Sequence, residues 1–529
     1  MATRSNYLLA PGIRSVAIGI VIGCMSMAAR AAVRLPHIFG DNMVLQAGAA
    51  VPVWGWATPG GKVAVTIDAQ TVTAVANAEG KWKLVLKNLQ KRETPTTFTV
   101  KADETVSFQN VLIGDVWLGS GQSNMEMAMA DITNAKDEIA AANQPNIRLF
   151  TVPHNEQGML AEDCNGRWVV CTPESVNRFS AVLYLFGREI FEKTRMPMGL
   201  VHSSVGGTRI ELWTAPAGFD LIPEFANYTK SIALSDEAFR KNLPGKLTAV
   251  EEWTRSARKA VADNQLIPAF PEWPTRPNPE GGAACLYNGM IHPLVPFALR
   301  GFVWYQGEWN GGENDIYVKR MQALIGGWRK IWGMGELPFY YVQLARMPEN
   351  DHSPWLGNGL SPTREAQRKC LSIPHTGMAS IIDLEGSSGW HPGNKQDPAN
   401  RLARWALRNE YGMKDLVPSG PLYKSMRVEG STIVLGFDAV GTGLMVGLKK
   451  GLEPVQKASN TTPGSFAIAG GDKKWFPAKA AIKGAEVVVS SPEVAKPVAV
   501  RYGYCNDPDN CNLYNNEGLP ASPFRTDEW

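Results

Sequence analysis

The sequence predicts an α/β protein whose doubly wound parallel sheet is flanked by β-sandwich-type regions at both ends of the chain. Between about residues 111 and 411, short apolar runs alternate with helical patterns, an order typical of parallel sheets. The segments on either side instead contain successive short strand patterns separated by Gly and Pro turns. Finally, 529 residues with 44% apolar and 19% charged content exceed what one hydrophobic core normally holds.

Residues 1–31 have the features of a secretory signal peptide. Arg4 and Arg14 precede an apolar stretch, and Ala29-Arg30-Ala31 has the small-x-small form of a cleavage site. The segment ending at Cys24 also looks like a bacterial lipoprotein box, which would leave Cys24 lipidated at a new N-terminus. Either reading predicts an exported protein, periplasmic or extracellular. After this leader no run of about 18 apolar residues predicts a membrane span.

The charge and the cysteines limit the classes of partner. A formal net charge of +3 provides no basic field for nucleic acid. Of the seven cysteines, all but Cys24 follow the leader, and an even number in an exported chain permits disulfides. Cys164 with Cys171, and Cys505 with Cys511, lie close enough in sequence to close small loops. These pairs lack CxxC spacing and a nearby His pair, so no zinc site is predicted.

Residues 32–108 are predicted to form an N-terminal β domain. The segments 51–56, 62–67 and 81–86 alternate or run apolar, and Gly-containing turns separate them. Such short segments favour a small antiparallel sandwich.

The stretch around Ser123 is predicted to pass from a buried strand into a helix. An apolar run ends in a turn that holds Gly119 and Gly121, Ser123 follows, and residues 124–130 are mostly helix formers. A serine there stands at the end of a sheet, beside backbone N–H groups and the positive end of a helix dipole. The setting suits an acyl-transfer nucleophile, and it also suits a simple helix N-cap.

Residues 109–415 are predicted to be the parallel-sheet domain, with its site at the C-terminal ends of the strands. The predicted strands are 198–203, 302–305, 339–344 and 378–382, and the predicted helices are 182–193, 317–331, 361–371 and 395–411. Residues 214–284 interrupt this order with a helical segment, 235–261, and a proline-rich one. We interpret them as an insertion that could shape or cover the cleft.

Residues 416–529 are predicted to form a C-terminal β domain. The segments 433–435, 486–489 and 498–502 are strand-like and separated by Gly and Pro turns.

Two loops have the composition that acyl transfer needs near a serine. His391 follows the last predicted strand, in a Gly- and Ser-rich loop, so it can face the strand ends where Ser123 is expected. It is the candidate general base, because serine needs a group to take its proton. Gly206 and Gly207 follow another strand, where glycine lets a backbone N–H approach a reacting carbonyl closely. An ordinary turn would explain the Gly-Gly pair equally well.

Several segments resemble blocks of the sialate O-acetylesterase-like carbohydrate esterases, a family of the SGNH hydrolase superfamily. The resemblance covers nearly the whole mature chain, including both ends, 41–46 and 512–526. Around the predicted site the matching blocks are Gly121-Gln122-Ser123-Asn124-Met125, Trp304-Tyr305-Gln306-Gly307-Glu308-Trp309-Asn310, Arg364-Glu365-Ala366-Gln367 and Trp390-His391-Pro392-Gly393-Asn394-Lys395.

This resemblance implies an SGNH hydrolase-like fold and a serine esterase without metal or organic cofactor. Ser123 and His391 are the expected catalytic residues. The N–H groups of Ser123 and Gly207 and the carboxamide of Gln306 are the expected oxyanion hole, with Asn310 as an alternative donor. Glu308 and Asn310 are candidates for contact with the sugar, and Glu308 fits a buried structural carboxylate equally well.

The chain departs from the superfamily at the acid that orients the histidine. That acid usually lies two or three residues before the histidine, where this sequence has Gly389 and Ser388. Asp383 and Glu385 are the nearest candidates, and a Ser–His dyad without an acid is the alternative. Loss of such an acid lowers the rate of known triads by orders of magnitude.

The expected activity is hydrolysis of O-acetyl esters on a carbohydrate through an acetyl-enzyme, with sialic acid 9-O-acetyl esters as the first substrate class. Acetylxylan or another acetylated polysaccharide is the alternative substrate. A catalytically silent carbohydrate-binding protein is the alternative from another class, and a serine peptidase fits the blocks less well.

Overall fold

The computed structural model describes residues 32–272, 282–384, 389–459 and 462–529. The predicted signal peptide, the lipoprotein-type alternative at Cys24 and the acid candidate Glu385 lie outside the described residues. Within these ranges, no helix is long and apolar enough to cross a membrane.

The strands are numbered along the chain. In the N-terminal half they are β1 (Val44–Gln46), β2 (Val51–Trp56), β3 (Lys62–Ile67), β4 (Gln70–Val75), β5 (Lys81–Leu86), β6 (Arg92–Lys101), β7 (Thr105–Gly121), β8 (Gln144–Thr151), β9 (Trp168–Cys171) and β10 (Met198–Ser204). The remaining strands are β11 (Gly301–Tyr305), β12 (Phe339–Gln343), β13 (Thr376–Ser380), β14 (Leu422–Glu429), β15 (Thr432–Asp438), β16 (Leu444–Leu448), β17 (Gln456–Lys457), β18 (Phe466–Gly470), β19 (Trp475–Pro477), β20 (Lys479–Lys483), β21 (Glu486–Ser490), β22 (Pro497–Tyr502), β23 (Leu513–Asn515) and β24 (Phe524–Arg525).

The α-helices are α1 (Ser123–Glu126), α2 (Ala135–Ala140), α3 (Pro173–Val176), α4 (Ala181–Thr194), α5 (Pro216–Phe219), α6 (Ala226–Ala262), α7 (Asp315–Trp332), α8 (Ser361–Lys369) and α9 (Gln396–Asn409). Short 3₁₀ or π segments lie at Met129–Asp131, Ile210–Leu212, Pro223–Phe225, Tyr287–Ile291, His292–Leu294, Glu308–Asn310 and Cys370–Ser372.

A mainly parallel sheet in the order β13-β12-β11-β7-β10-β8-β9 forms the centre of the molecule. Its strands pair in parallel except β9, which is antiparallel to β8. Strands β10 to β13 are buried along their whole length, as expected for a parallel sheet covered on both faces. The predicted α/β class with a parallel central sheet is therefore confirmed.

The alternating side chains of these strands enter two separate hydrophobic cores. Trp117, Val303 and Tyr340 pack with residues of α4 and α9 on one face. Leu118, Phe302 and Phe339 pack with residues of α5 and α7 on the other. Since successive side chains of a strand point to opposite faces, these apolar runs need helices on both sides.

Strand β7 joins the N-terminal β region to the central sheet. Its first half pairs with β1 and β6, and its second half pairs with β10 and β11. The strand has 17 residues, so the boundary predicted between residues 108 and 109 falls inside it. Val51 and Val63 of the N-terminal region lie in the same core as Leu118.

The predicted insertion contains the longest helix of the described chain, α6, which has 37 residues. It starts nine residues before the helix predicted from residue 235. Among its residues only Ser235 and Ala257 are buried, in keeping with the charged composition of this segment. The neighbouring helix α5 packs closely on α7, since a Cβ added at Gly218 would lie 2.1 Å from the Ala323 carbonyl oxygen.

The C-terminal region contains two antiparallel sheets that share one core. The sheets have the orders β14-β15-β21-β20 and β19-β18-β22-β24, and Leu435 and Ile468 from them lie in one cluster. A third sheet, β17-β16-β23, completes the region.

The disulfides that the cysteine count permits do not form in the structure. The six cysteines that follow the leader are free thiols in buried positions. Burial raises the pKa of Cys164 and of Cys171 to about 12, so both are neutral thiols at ordinary pH.

Candidate active site

Ser123 lies where β7 turns into helix α1. Gly121 has φ +141°, and a Cβ there would lie 2.2 Å from the Tyr305 carbonyl oxygen, so the turn needs glycine. The Gln122 N–H donates to the same oxygen at 3.0 Å, which ties the turn to β11. The N-cap of α1 is Gln122 and not Ser123. The N-cap interpretation of Ser123 therefore fails, and its side chain is available for other contacts.

His391 faces Ser123 across the end of the sheet. Its Nε2 lies 2.8 Å from Ser123 Oγ, which is hydrogen-bonding distance. The histidine precedes α9 and is half-buried. Burial first, and then the positive charge of Lys395, lower the pKa of His391 below its ordinary value. The imidazole is therefore neutral near pH 7 and can accept the serine proton.

An open cavity of about 410 Å³ gives access to these two side chains. Ser123 and His391 line it together with Glu126, Asp131 and Arg178. No signal in the sequence distinguishes the last three, because charged residues on short helices and loops carry no distinctive local pattern. Within the described ranges, no group of three or more His, Cys, Asp or Glu side chains is placed to hold a metal ion.

The Gly206-Gly207 turn touches the serine. A Cβ added at Gly206 would lie 3.3 Å from Ser123 Cβ, and the Gly206 N–H donates to Glu126 Oε2 at 2.6 Å. Gly207 has φ +68°, and a Cβ there would meet no atom within 4 Å. In the described part of the chain, the N–H groups of Ser123 and Gly207 donate to no acceptor. Among the described residues both predicted backbone donors therefore lack a protein acceptor, which is a requirement for an oxyanion hole.

The structure does not support the predicted Gln306 donor. Gln306 is fully buried, and its Nε2 donates to the Thr208 carbonyl at 3.0 Å and to Asn310 Oδ1 at 2.8 Å. Its Oε1 accepts from the Tyr317 hydroxyl at 3.0 Å. Both amide N–H groups are thus already hydrogen-bonded. Gln306 instead fixes Thr208, the residue that follows Gly207.

Asn310 is the alternative donor and a candidate for contact with the sugar. Its amide is also already hydrogen-bonded within the protein. Its Nδ2 donates to Glu211 Oε2 at 3.1 Å and to Glu313 Oε1 at 3.3 Å. Its Oδ1 accepts from the Ile210 N–H at 3.0 Å. Asn310 is buried and fixes the segment after the Gly207 turn, so this geometry leaves it no contact with a sugar.

Glu308 fits the structural alternative better than sugar contact. It is buried, and its Oε1 accepts a hydrogen bond of 2.6 Å from Asn124 Nδ2. Burial raises the pKa of Glu308 above its ordinary value. The Arg364 block is also structural, since buried Arg364 donates to the Asn506 carbonyl of the C-terminal region at 2.6 Å.

Asp383, one of the two acid candidates, is paired away from the histidine. Its oxygens accept from Arg401 at 2.7 and 2.8 Å, and the Tyr514 hydroxyl donates to Oδ2 at 3.2 Å. Both partners of this ion pair are buried. Asp383 therefore joins the end of the sheet to α9, and the sequence-based hypothesis that it orients His391 is not supported.

Replacing Asp383 with asparagine should lower stability and leave kcat nearly unchanged. The change leaves the Arg401 charge buried without a counter-ion, which costs about 3–5 kcal/mol in comparable pairs. Urea unfolding and kcat on an acetylated sugar check this result. A loss in kcat of several orders of magnitude, with stability retained, would show instead that Asp383 acts on His391.

Comparisons with known proteins identify similar sequences and a similar structure. Residues 113–250 and 275–395 match the sequence family described as carbohydrate esterase, sialic acid-specific acetylesterase. The chain is 29% identical to a sialate O-acetylesterase of Rattus norvegicus, over 96% of each protein. It is 28% identical to that of Homo sapiens, over 98% of this chain and 97% of the human protein.

A solved structure is similar over almost the full length. It is a carbohydrate acetylesterase from Xanthomonas citri, 35% identical, with a TM-score of 0.76. The match covers 94% of this chain and 100% of the other.

Proposed function

Because the chain belongs to the sialic acid-specific acetylesterase family of carbohydrate esterases, we propose that it removes O-acetyl groups from sugars through a serine mechanism. Membership makes it a carboxylic ester hydrolase. The single observation that carries the mechanism is the 2.8 Å contact between His391 Nε2 and Ser123 Oγ. Sialic acid O-acetyl esters, with the 9-O position first, are the proposed substrates.

In the first half of the proposed reaction, Ser123 Oγ attacks the acetyl carbonyl while His391 Nε2 takes its proton. The carbonyl oxygen becomes an oxyanion held by the Ser123 and Gly207 N–H groups. When this intermediate collapses, the bond to the sugar oxygen breaks. His391 gives its proton to that oxygen, and the sugar leaves as an alcohol.

In the second half, a water molecule attacks the acetyl-Ser123 ester. His391 takes a proton from this water, the same backbone donors hold the second oxyanion, and the proton then returns to Ser123 Oγ. Acetate leaves and the free enzyme is restored.

Export is part of the proposal and depends on the predicted leader at residues 1–31. A periplasmic or extracellular enzyme would meet acetylated glycans outside the cell.

Acetate release and serine labelling test the proposal together. The chain should release acetate from O-acetylated sialic acid, and a fluorophosphonate should add a single group that peptide mapping places on Ser123. Release of acetate from acetylxylan alone would indicate that the substrates are plant polysaccharides and not sialic acids. A folded chain that binds glycans but gives neither release nor adduct would be a silent binding protein.

Arg178 is the proposed contact for the sialic acid carboxylate. It is exposed in the cavity with Ser123, and within the described ranges it forms no ion pair. An arginine binds a carboxylate in a bidentate manner, whereas neutral sugars lack this group. Glu126, a second charge in the cavity, already bonds to the Gly206 N–H and to His154 Nε2 at 2.9 Å.

Arg178→Gln should raise KM for acetylated sialic acid about tenfold, the size of one charge-assisted contact, with kcat unchanged. KM for an acetylated neutral sugar should stay constant. Lys193→Gln, at the far end of α4 and exposed, is the matched control. An equal rise for both sugars, or no rise, would contradict carboxylate recognition by Arg178.

A further inference from the structure

Asn124 follows Ser123 and is the centre of a buried hydrogen-bond network. Its Oδ1 accepts from Lys395 Nζ at 2.7 Å. Its Nδ2 donates to Glu308 Oε1 at 2.6 Å and to the Trp390 carbonyl at 2.8 Å. A carboxamide has two N–H donors, and here both are used, as is the acceptor oxygen. The partners therefore fix the orientation of this side chain.

Lys395 completes the network from the other side. The residue is fully buried, and its Nζ also donates to the Pro392 carbonyl at 2.6 Å. The Tyr305 ring centre lies 5.5 Å from Nζ. Trp390 and Pro392 are the two neighbours of His391, so the carbonyl on each side of the histidine accepts a hydrogen bond from this network.

We propose that Asn124 and Lys395 are positioning residues that aim His391 at Ser123, with Glu308 as the buried counter-ion. The inference deepens the proposed serine mechanism and rests on it. Asn124 stands next to the nucleophile in α1, so its bond to the Trp390 carbonyl joins the helix that carries Ser123 to the loop that carries His391. The Lys395 bond to Pro392 then holds the other end of the same short loop.

The chemistry of the network points to positioning more than to stability. Burial lowers the pKa of Lys395 to about 7, and the nearby Glu308 carboxylate opposes that shift. Ions this deeply buried commonly contribute less to stability than apolar side chains of the same size would. In the described part of the chain, Glu308 Oε2 has no hydrogen-bond partner, so the carboxylate itself is only half satisfied. Burying the charges of Lys395 and Glu308 thus costs free energy of folding. Their contribution is to order the loop that carries His391.

One more contact limits the size of the effect. The Thr133 N–H donates to the Gly393 carbonyl at 2.9 Å, independently of the network. Loss of Lys395 should therefore displace the loop without releasing it. Displacements of about 1 Å at a reacting group can reduce a rate about 100-fold.

The first test is Lys395→Met, which keeps an unbranched side chain one atom shorter and removes the charge and the donors. We expect kcat on an acetylated sugar to fall about 10- to 100-fold, with KM within about twofold of wild type. The variant should also melt at a lower temperature, because Glu308 loses its counter-ion.

The double variant Lys395→Met/Glu308→Gln separates positioning from stability. It leaves no unpaired charge, so its melting temperature should return towards that of wild type. Its kcat should remain at least about tenfold low, because the Pro392 carbonyl still lacks its donor. Recovery of both quantities, or a wild-type kcat in either variant, would overturn the positioning role.

The pH profile gives a readout that a purely structural role would not change. Among the described residues, the charged groups near His391 include Lys395 and Glu308 in the network and Glu126, Asp131 and Arg178 in the cavity. Removal of the Lys395 charge should raise the pKa of His391. The acidic limb of kcat/KM should therefore move to higher pH in Lys395→Met, and an unmoved limb would contradict the inference.

Arg501→Met is the matched control for loss of a buried ion pair. Arg501 and Asp527 are bonded at 2.7 Å in the C-terminal region and are as deeply buried as the network. This variant should lose stability but keep kcat and the pH limb. Absence of a Ser123 adduct in the wild-type chain would refute the serine mechanism itself. An adduct together with unchanged variants would refute only the positioning role.

Discussion

Replacing Ser123 with alanine should lower acetate release by about 10⁴-fold or more and leave the fold intact. Ser123 Oγ is the only atom removed, and it contacts His391 Nε2 at 2.8 Å. Water would have to attack without an acetyl-enzyme, helped only by the backbone donors. The measurement is kcat on acetylated sialic acid, with circular dichroism and thermal melting to check the fold.

Ser120→Ala is the control for the Ser123 variant. Ser120 lies in β7, the strand that leads to Ser123, and is fully buried, and in the described chain its Oγ has no hydrogen-bond partner. Its removal should change neither kcat nor stability substantially, because an unpaired buried hydroxyl contributes little. Substantial hydrolysis by Ser123→Ala would mean that another group is the nucleophile. Unchanged sugar binding in that variant would show that only the chemistry was lost.

His391→Ala should reduce kcat by about 10³- to 10⁵-fold and also abolish fluorophosphonate labelling of Ser123. In the wild-type chain, kcat/KM should fall as the pH drops through a pKa below 6.5. The rate falls at low pH because His391 can accept the serine proton only when its imidazole is neutral. Burial and then Lys395 disfavour the imidazolium form, so the active form persists to a lower pH. A pH series with wild type and variant checks both statements.

His154→Ala provides the contrast for this prediction. His154 also lies near the site, but its Nε2 bonds Glu126 Oε1 at 2.9 Å and not the serine. Its loss should change kcat by less than about tenfold. A larger loss in His154→Ala than in His391→Ala would contradict the assignment of the base.

The order of elements was largely predictable. The helix predicted at 182–193 is α4, Ala181–Thr194, and the strand predicted at 302–305 is β11, Gly301–Tyr305. The helix has a 3.6-residue apolar period and the strand is an unbroken apolar run, and both patterns are local. The N-terminal boundary was less predictable, since one continuous strand, Thr105–Gly121, serves two sheets, with an exposed first part and a buried second part.

The sequence by itself predicted the family and the α/β class, which are confirmed, and it proposed the pair Ser123 and His391, whose side chains lie 2.8 Å apart. Each of these depends on a local pattern: a strand, a Gly turn and a helix start for Ser123, and a Gly-rich loop before the last helix for His391. Parallel strands then place both at the same edge of the sheet, whatever the details of packing.

Only the tertiary structure decided which polar side chains face the cavity and which use their donors and acceptors in buried hydrogen bonds. Gln306 bonds to Thr208, 98 residues away, and Lys395 bonds to Asn124 across 271 residues. Gln306 is therefore a support and not an oxyanion donor, and Lys395 emerges as a candidate positioning residue. The physical reason is that a hydrogen bond requires two groups within about 3 Å, and partners so distant in sequence meet only after the whole chain has packed.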